Sequence, residues 1–212
     1  MRKNPFSDTL LFLTTGGWTT VVFWLLLLAS IGIAIFNYQR DPKQRSALHV
    51  WNWLSRLFIG ALWWQQSLWK LPPTYTDQPD GSGGLRYWME QMANNASFAA
   101  QADFVKKIVL SHFYFFAPQV YAGEVLVAAS LMLGLFTRVG GFIGALMAVN
   151  LWLGLYRSDS EWPWTYFFLV VIQIMFVAYR PGRSLGLDAL ILEEESTASG
   201  KAWRTWVAKL VA

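Results

Sequence analysis

Apolar runs of nearly twenty residues recur along this chain, at 18–36, 51–69, 117–136, 139–156 and 164–179. Coiled at about 1.5 Å per residue, such runs match the roughly 30 Å hydrocarbon core of a bilayer. In lipid every backbone polar group needs an internal partner, so an open run of this kind is confined to helix. The expectation is therefore an all-α integral membrane protein. Composition agrees: 55% of residues are hydrophobic and only 14% charged, against about 25% charge in a soluble domain. The net charge of +4 reads as Lys and Arg that set membrane orientation, not as a nucleic-acid surface.

The run 18–36 is longer than the apolar part of a signal peptide, and no small-residue cleavage pattern follows it, so it is read as a retained helix. Only Thr137 and Arg138 separate the third and fourth runs, which demands an antiparallel helix hairpin. Arg40, Lys43, Arg45, Arg180 and Arg183 cluster near run ends on one side. By the positive-inside rule that side is cytoplasmic, with the C-terminus inside and the N-terminus outside. Segment 71–116 is the one large connection. It opens on Pro72-Pro73 and is expected to fold back as a helical cap over the outer mouth, with short helices at 85–93 and 98–110. The division is then 1–48, an N-terminal transmembrane helix and cytoplasmic loop; 49–192, a four-helix membrane domain carrying cap loop 71–116; and 193–212, a polar linker and amphipathic tail. In that tail Trp203, Trp206, Val207, Leu210 and Val211 share a helical face, which suits a membrane surface.

Candidate chemistry begins with Glu124, the sole charged residue between Phe113 and Phe136. A carboxylate at membrane depth is costly unless paired, protonated or facing a polar cavity. Arg56 is the first candidate partner. Its level differs from that of Glu124 by ~10 Å, which two extended side chains nearly bridge. Arg56, Gly60, Trp63, Ser67 and Lys70 recur on one helical face. Asn150 and Gln173 add one polar residue each to the fourth and fifth runs, and the four together suggest a polar pocket inside the bundle. The bland alternative is interhelical glue that fixes register.

Other chemistries are excluded within the chain. It has no Cys, which removes thiolate nucleophiles, Fe–S ligation and Cys-based zinc sites. Its two His residues, His49 and His112, fall at opposite faces roughly 30 Å apart, too far to ligate one haem or a shared metal. His112, near the outer mouth, is left as a proton donor or acceptor. There is no inverted repeat of the kind that marks many transporters.

Several segments together resemble the DoxX/DoxD family of small bacterial membrane proteins. These are Arg56-Leu57-Phe58-Ile59-Gly60 through Trp69-Lys70-Leu71, Gly123-Glu124 with Gly134-Leu135-Phe136-Thr137-Arg138, Glu161-Trp162-Pro163-Trp164-Thr165-Tyr166, and Gly182-Arg183-Ser184-Leu185-Gly186-Leu187-Asp188-Ala189-Leu190. Tyr87-Trp88-Met89-Glu90 with Asn94-Asn95 looks closer to the DoxD type, which is associated with thiosulfate:quinone oxidoreductase. The resemblance implies residence in the bacterial inner membrane beside other complex subunits, and a quinone as redox cofactor. On that implication Glu124 and Arg56 are the catalytic candidates. Asn150, Gln173, Trp164, Tyr166 and His112 are the candidate quinone-lining residues. The alternative is a non-catalytic accessory or assembly subunit, which the extra first helix and the tail favour.

Overall fold

The structure is a computed structural model, and it describes residues 4–15, 17–76 and 83–197, the side chains of residues 5 and 193–197 excepted. The amphipathic face expected at 203–211 lies outside the described residues. Among the described residues the fold is all helical. The elements are α1 (Pro5–Thr15), α2 (Gly17–Arg40), α3 (Ala47–Ser67), α4 (Gly84–Asn95), α5 (Ala99–Phe104), α6 (Phe113–Leu133), α7 (Thr137–Gly154), α8 (Pro163–Tyr179) and α9 (Leu187–Thr197). Each expected apolar run is a helix: α2, α3, α6, α7 and α8. The helical stretches Gly17–Arg40 and Ala99–Leu133 are long and apolar enough to cross a membrane.

Helix ends follow local chemistry. Ser46 accepts from the His49 amide to cap α3, as an N-cap serine does. Pro163 opens α8, where its missing N–H costs nothing. Gly134 ends α6 at φ +67°, donating to the Ser130 carbonyl, and this left-handed step reverses the chain into α7. The expected antiparallel hairpin is thus built.

The core lies where α3, α6, α7 and α8 meet. Leu57, Trp63 and Trp64 of α3 pack on Val127, Ala128, Leu131 and Met132 of α6, with Phe176 of α8 and Phe23 of α2 closing the cluster. Gly144 of α7 lets α8 approach closely: a Cβ there would stand 2.7 Å from the Gln173 amide. A second cluster joins the long connection to the helix ends. Leu85, Met89 and Met92 of α4 pack with Val105, Phe113, Ala117 and Leu155. The expected break near residue 110 is short. From Ala99 the chain runs through a π turn (Val105–Val109) and a 3-10 turn (Leu110–His112), leaves the helical conformation at His112 (φ −122°, ψ 41°), and resumes as α6.

Two further differences concern the ends. Residues 5–15 form a helix that folds back on α2. The Phe12 and Phe23 rings meet edge to face at 4.9 Å, and the Trp24 indole donates to the Leu13 carbonyl at 2.9 Å. Gly17, at φ +59°, makes the reversal. At the other end α9 runs through Thr197, so the segment read as linker from residue 193 begins as helix.

Candidate functional site

Glu124 does have a cationic partner, and it is Lys70. The Lys70 ammonium donates to Glu124 Oε1. The two side chains are only 6% and 3% exposed, so this is a buried ion pair. Lys70 reaches it because the chain tightens into a 3-10 turn, Leu68–Lys70, after α3. The Lys70 nitrogen also sits 4.1 Å from the centre of the Trp69 ring, a cation–π contact that shields the charge further. Glu124 Oε2 is buried and has no hydrogen-bond partner among the described residues.

Other buried polar atoms of the bundle share that condition. The Trp63 and Trp64 indole N–H groups and both polar atoms of the Gln173 amide are buried without partners among the described residues. Gln173 and Arg56 are completely enclosed. Gly123 of α6 backs onto Met147 of α7, and Gly144 backs onto the Gln173 amide. These contacts place Glu124 and Gln173 within about one helical turn of each other along the bundle. Buried polar groups are paired in the great majority of proteins. A carboxylate oxygen, an amide and indole N–H groups buried along the same bundle are donors and acceptors with capacity to spare.

Arg56 is not the partner of Glu124. Its guanidinium donates to the carbonyls of Leu131 at 2.8 Å, Met132 at 3.1 Å, Ser184 at 3.2 Å and Leu185 at 3.0 Å. The first two belong to the last turn of α6, whose carbonyls lack helical partners and whose dipole favours a cation. Leu131 is seven residues beyond Glu124, about 10 Å along the helix, which is why the expected bridge does not form.

Arg56 belongs instead to a polar knot at the far end of the bundle. The Asp188 carboxylate accepts from the Phe136 and Thr137 amides at 2.6 and 3.0 Å and from the Thr137 hydroxyl at 2.7 Å. It thereby caps the start of α7 from a distant part of the chain. Burial lifts the Asp188 carboxyl above the ordinary carboxylate range, while the Thr137 and Phe136 donors and the nearby Arg56 oppose the lift. Asn37 donates to the Gly186 carbonyl, and Gln44 accepts from the Leu185 amide. This knot ties α2, α3, the α6–α7 turn and α9 together.

With the geometry in place, the sequence model of the family described as "TQO small subunit DoxD" matches residues 51–211. The chain belongs to the DoxD family. Neither a curated protein nor a solved structure matches it. The DoxD match and the apolar helices together make this a membrane protein. The match starts inside α3, so α1 and α2 lie outside the matched DoxD segment.

The remaining candidates are scattered. Asn150 accepts from Gln101 of α5 at 2.7 Å on an exposed face, so it ties α7 to α5 and does not meet Glu124. Tyr166 donates to Glu161 at 2.9 Å and packs on the second cluster with Leu151 and Tyr121. Trp164 is exposed and meets the Phe167 ring edge to face at 5.6 Å. His112 is exposed, its Nδ1 2.9 Å from the Ile108 carbonyl. The expected four-residue pocket is therefore not assembled from all four. Glu124 and Gln173 lie close in level, whereas Arg56 and Asn150 are spent elsewhere. Lys70 was missed as the partner, although its place on the face of Arg56 and Trp63 was a usable signal.

Proposed function

We propose that this DoxD-family chain is a quinone-interacting redox subunit of a membrane complex. The observation that carries the reading is the buried Lys70–Glu124 pair with Glu124 Oε2 left open. A pair that only fixed register would gain by satisfying that oxygen, since an unpaired buried acceptor costs about 1–3 kcal/mol. On this reading α2, α3, α6, α7 and α8 cross the membrane. The N-terminus is outside, the C-terminus is in the cytoplasm, and α4 and α5 cap the outer mouth. The clusters Arg40–Lys43–Arg45 and Arg180–Arg183 support this orientation.

Three buried donors would suit a quinone head: a quinone carbonyl is an acceptor, and the Trp63 indole, the Gln173 amide and the Lys70 ammonium are donors within the apolar bundle. When bound, the quinone supplies the capacity to accept two electrons. The chain supplies orientation through those donors and exclusion of water through its core. Glu124, ionised in its pair with Lys70, would take up a proton at Oε2 and pass it on, with Lys70 setting how readily it is held. Electrons come from another subunit. Trp164, Tyr166 and His112 would shape the approach rather than touch the head.

Purification in mild detergent tests this. The expected result is quinone retained by the wild-type chain and by Glu124→Gln, and lost in Gln173→Leu, with the melting temperature of each variant measured beside it. A second reading, a non-catalytic assembly subunit, rests on the α1–α2 hairpin lying outside the family match. If Glu124→Gln leaves a partner complex fully active and no quinone is retained, that second reading stands and the redox role does not.

A further inference from the structure

The helical stretch that leads into α6 is longer than a bilayer needs. Ala99–Leu133 runs for 35 residues, and α6 alone supplies 21 of them, enough at about 1.5 Å each to cross roughly 30 Å of hydrocarbon. Residues 99–112 therefore lie beyond the outer end of α6. Hydrogen bonds fasten their start to the rim of the bundle. The Ser97 amide and hydroxyl both donate to the Leu153 carbonyl, at 2.8 and 3.0 Å, and Gln101 of α5 donates to Asn150 at 2.7 Å. Both acceptors belong to the last turns of α7. The far end leaves helical geometry at His112, where α6 begins. The stretch is thus held between two neighbouring helix ends, at the level where α7 leaves the membrane. Exposed Trp162 and Trp164 at the start of α8 mark the same boundary, as amphipathic indoles prefer.

Around its axis this stretch has three sides. Val105 is buried in the second cluster. Asp103, Lys106 and Lys107 are exposed, and Lys107 pairs with Asp103 at 2.8 Å. Phe104 and Ile108, four residues apart and so neighbours on the helix surface, are 45% and 46% exposed. We propose that this third side is a membrane-surface anchor, with Phe104 and Ile108 seated at the boundary between headgroups and acyl chains of the outer leaflet. Position and chemistry both name the bilayer as the partner. The surface continues into α6, where Tyr114 and Phe115 are exposed on a helix that crosses the membrane. Apolar side chains beside ammonium groups match acyl chains beside phosphates, and the Lys106 stem can lie along the former while its head meets the latter. The anchor holds the cap down on the outer mouth, because Leu85, Met89 and Met92 of α4 pack in the cluster that Val105 joins. This inference rests on α6 crossing the membrane and does not depend on the redox reading.

Spin labelling of the full chain in liposomes tests the proposal, because the chain has no Cys and each introduced one is unique. Labels are placed at Phe104→Cys, Ile108→Cys, Asp103→Cys and, as the lipid reference on α6, Leu126→Cys. All four positions are exposed, so the label displaces no core side chain, and a melting curve of each variant checks its fold. Power saturation in paramagnetic resonance then compares collision with oxygen, which concentrates in hydrocarbon, and with a nickel chelate, which stays in water. The expected result is oxygen favoured over the chelate at Phe104→Cys and Ile108→Cys, as at Leu126→Cys, and the reverse at Asp103→Cys. Chelate favoured at either Phe104→Cys or Ile108→Cys, with Leu126→Cys still in lipid, would overturn the anchor and leave the membrane placement of α6 standing. Loss of access to both reagents at those two positions, the sign of a protein partner or a second copy covering them, would also overturn it. Chelate favoured at Leu126→Cys would overturn the placement of α6 and the anchor with it.

Discussion

The Lys70–Glu124 pair makes a quantitative prediction that separates a true buried ion pair from a fortuitous contact. Both side chains are nearly sealed, at 6% and 3% exposure, so neither charge can turn to solvent when its partner is removed. Taking away one member of such a pair costs about 3–5 kcal/mol, whereas replacing both with apolar groups is close to neutral. Lys70→Met and Glu124→Leu should therefore each be destabilised by about 3–5 kcal/mol. The double variant should return to within about 1 kcal/mol of wild type. For a chain of this length the single losses correspond to melting points lower by roughly 6–20 °C. The assay is thermal unfolding of the detergent-solubilised protein, followed by circular dichroism, for all four members of the cycle. Singles within about 1 kcal/mol of wild type, or a double variant as unstable as the sum of the singles, would refute the pairing argument.

Three further predictions concern the rest of the molecule. Arg56→Lys should lose about 2–4 kcal/mol in the same melting assay, because one ammonium cannot serve the carbonyls of Leu131, Met132, Ser184 and Leu185 at once. Asp188→Ala uncaps α7 at Phe136 and Thr137 and should cost about 1–3 kcal/mol, with faster amide hydrogen exchange confined to the first turn of α7. Gly144→Ala places a methyl 2.7 Å from the Gln173 amide and should cost about 1–3 kcal/mol. Gln173→Ala in the same chain should recover most of that loss.

The helices were legible because apolar runs of membrane length admit little else, and the α6–α7 hairpin because two residues allow no other connection. The site was only half legible. The cost of Glu124 announced that a partner must exist, but helical spacing alone offered both Arg56 and Lys70. The choice between them depended on the 3-10 turn after Ser67 and on a sink for Arg56 at the end of α6. That sink uses the Ser184 and Leu185 carbonyls, more than 120 residues away in sequence, which no local pattern reveals. Asp188 stood in the family-like closing segment, yet its work as a remote cap on α7 needed the fold. Helix α1 escaped notice because its eleven residues are too few to stand alone, and its position depends on packing against α2.

The central claim is that Glu124 handles a proton during quinone chemistry. A redox-difference infrared spectrum of the quinone-loaded protein reads that event directly. The expected result is a carboxyl band that changes on reduction and disappears in Glu124→Gln, while the quinone bound to that variant still gives its own bands. A carboxyl band that persists unchanged in Glu124→Gln, or no carboxyl change in the wild-type protein, would contradict it.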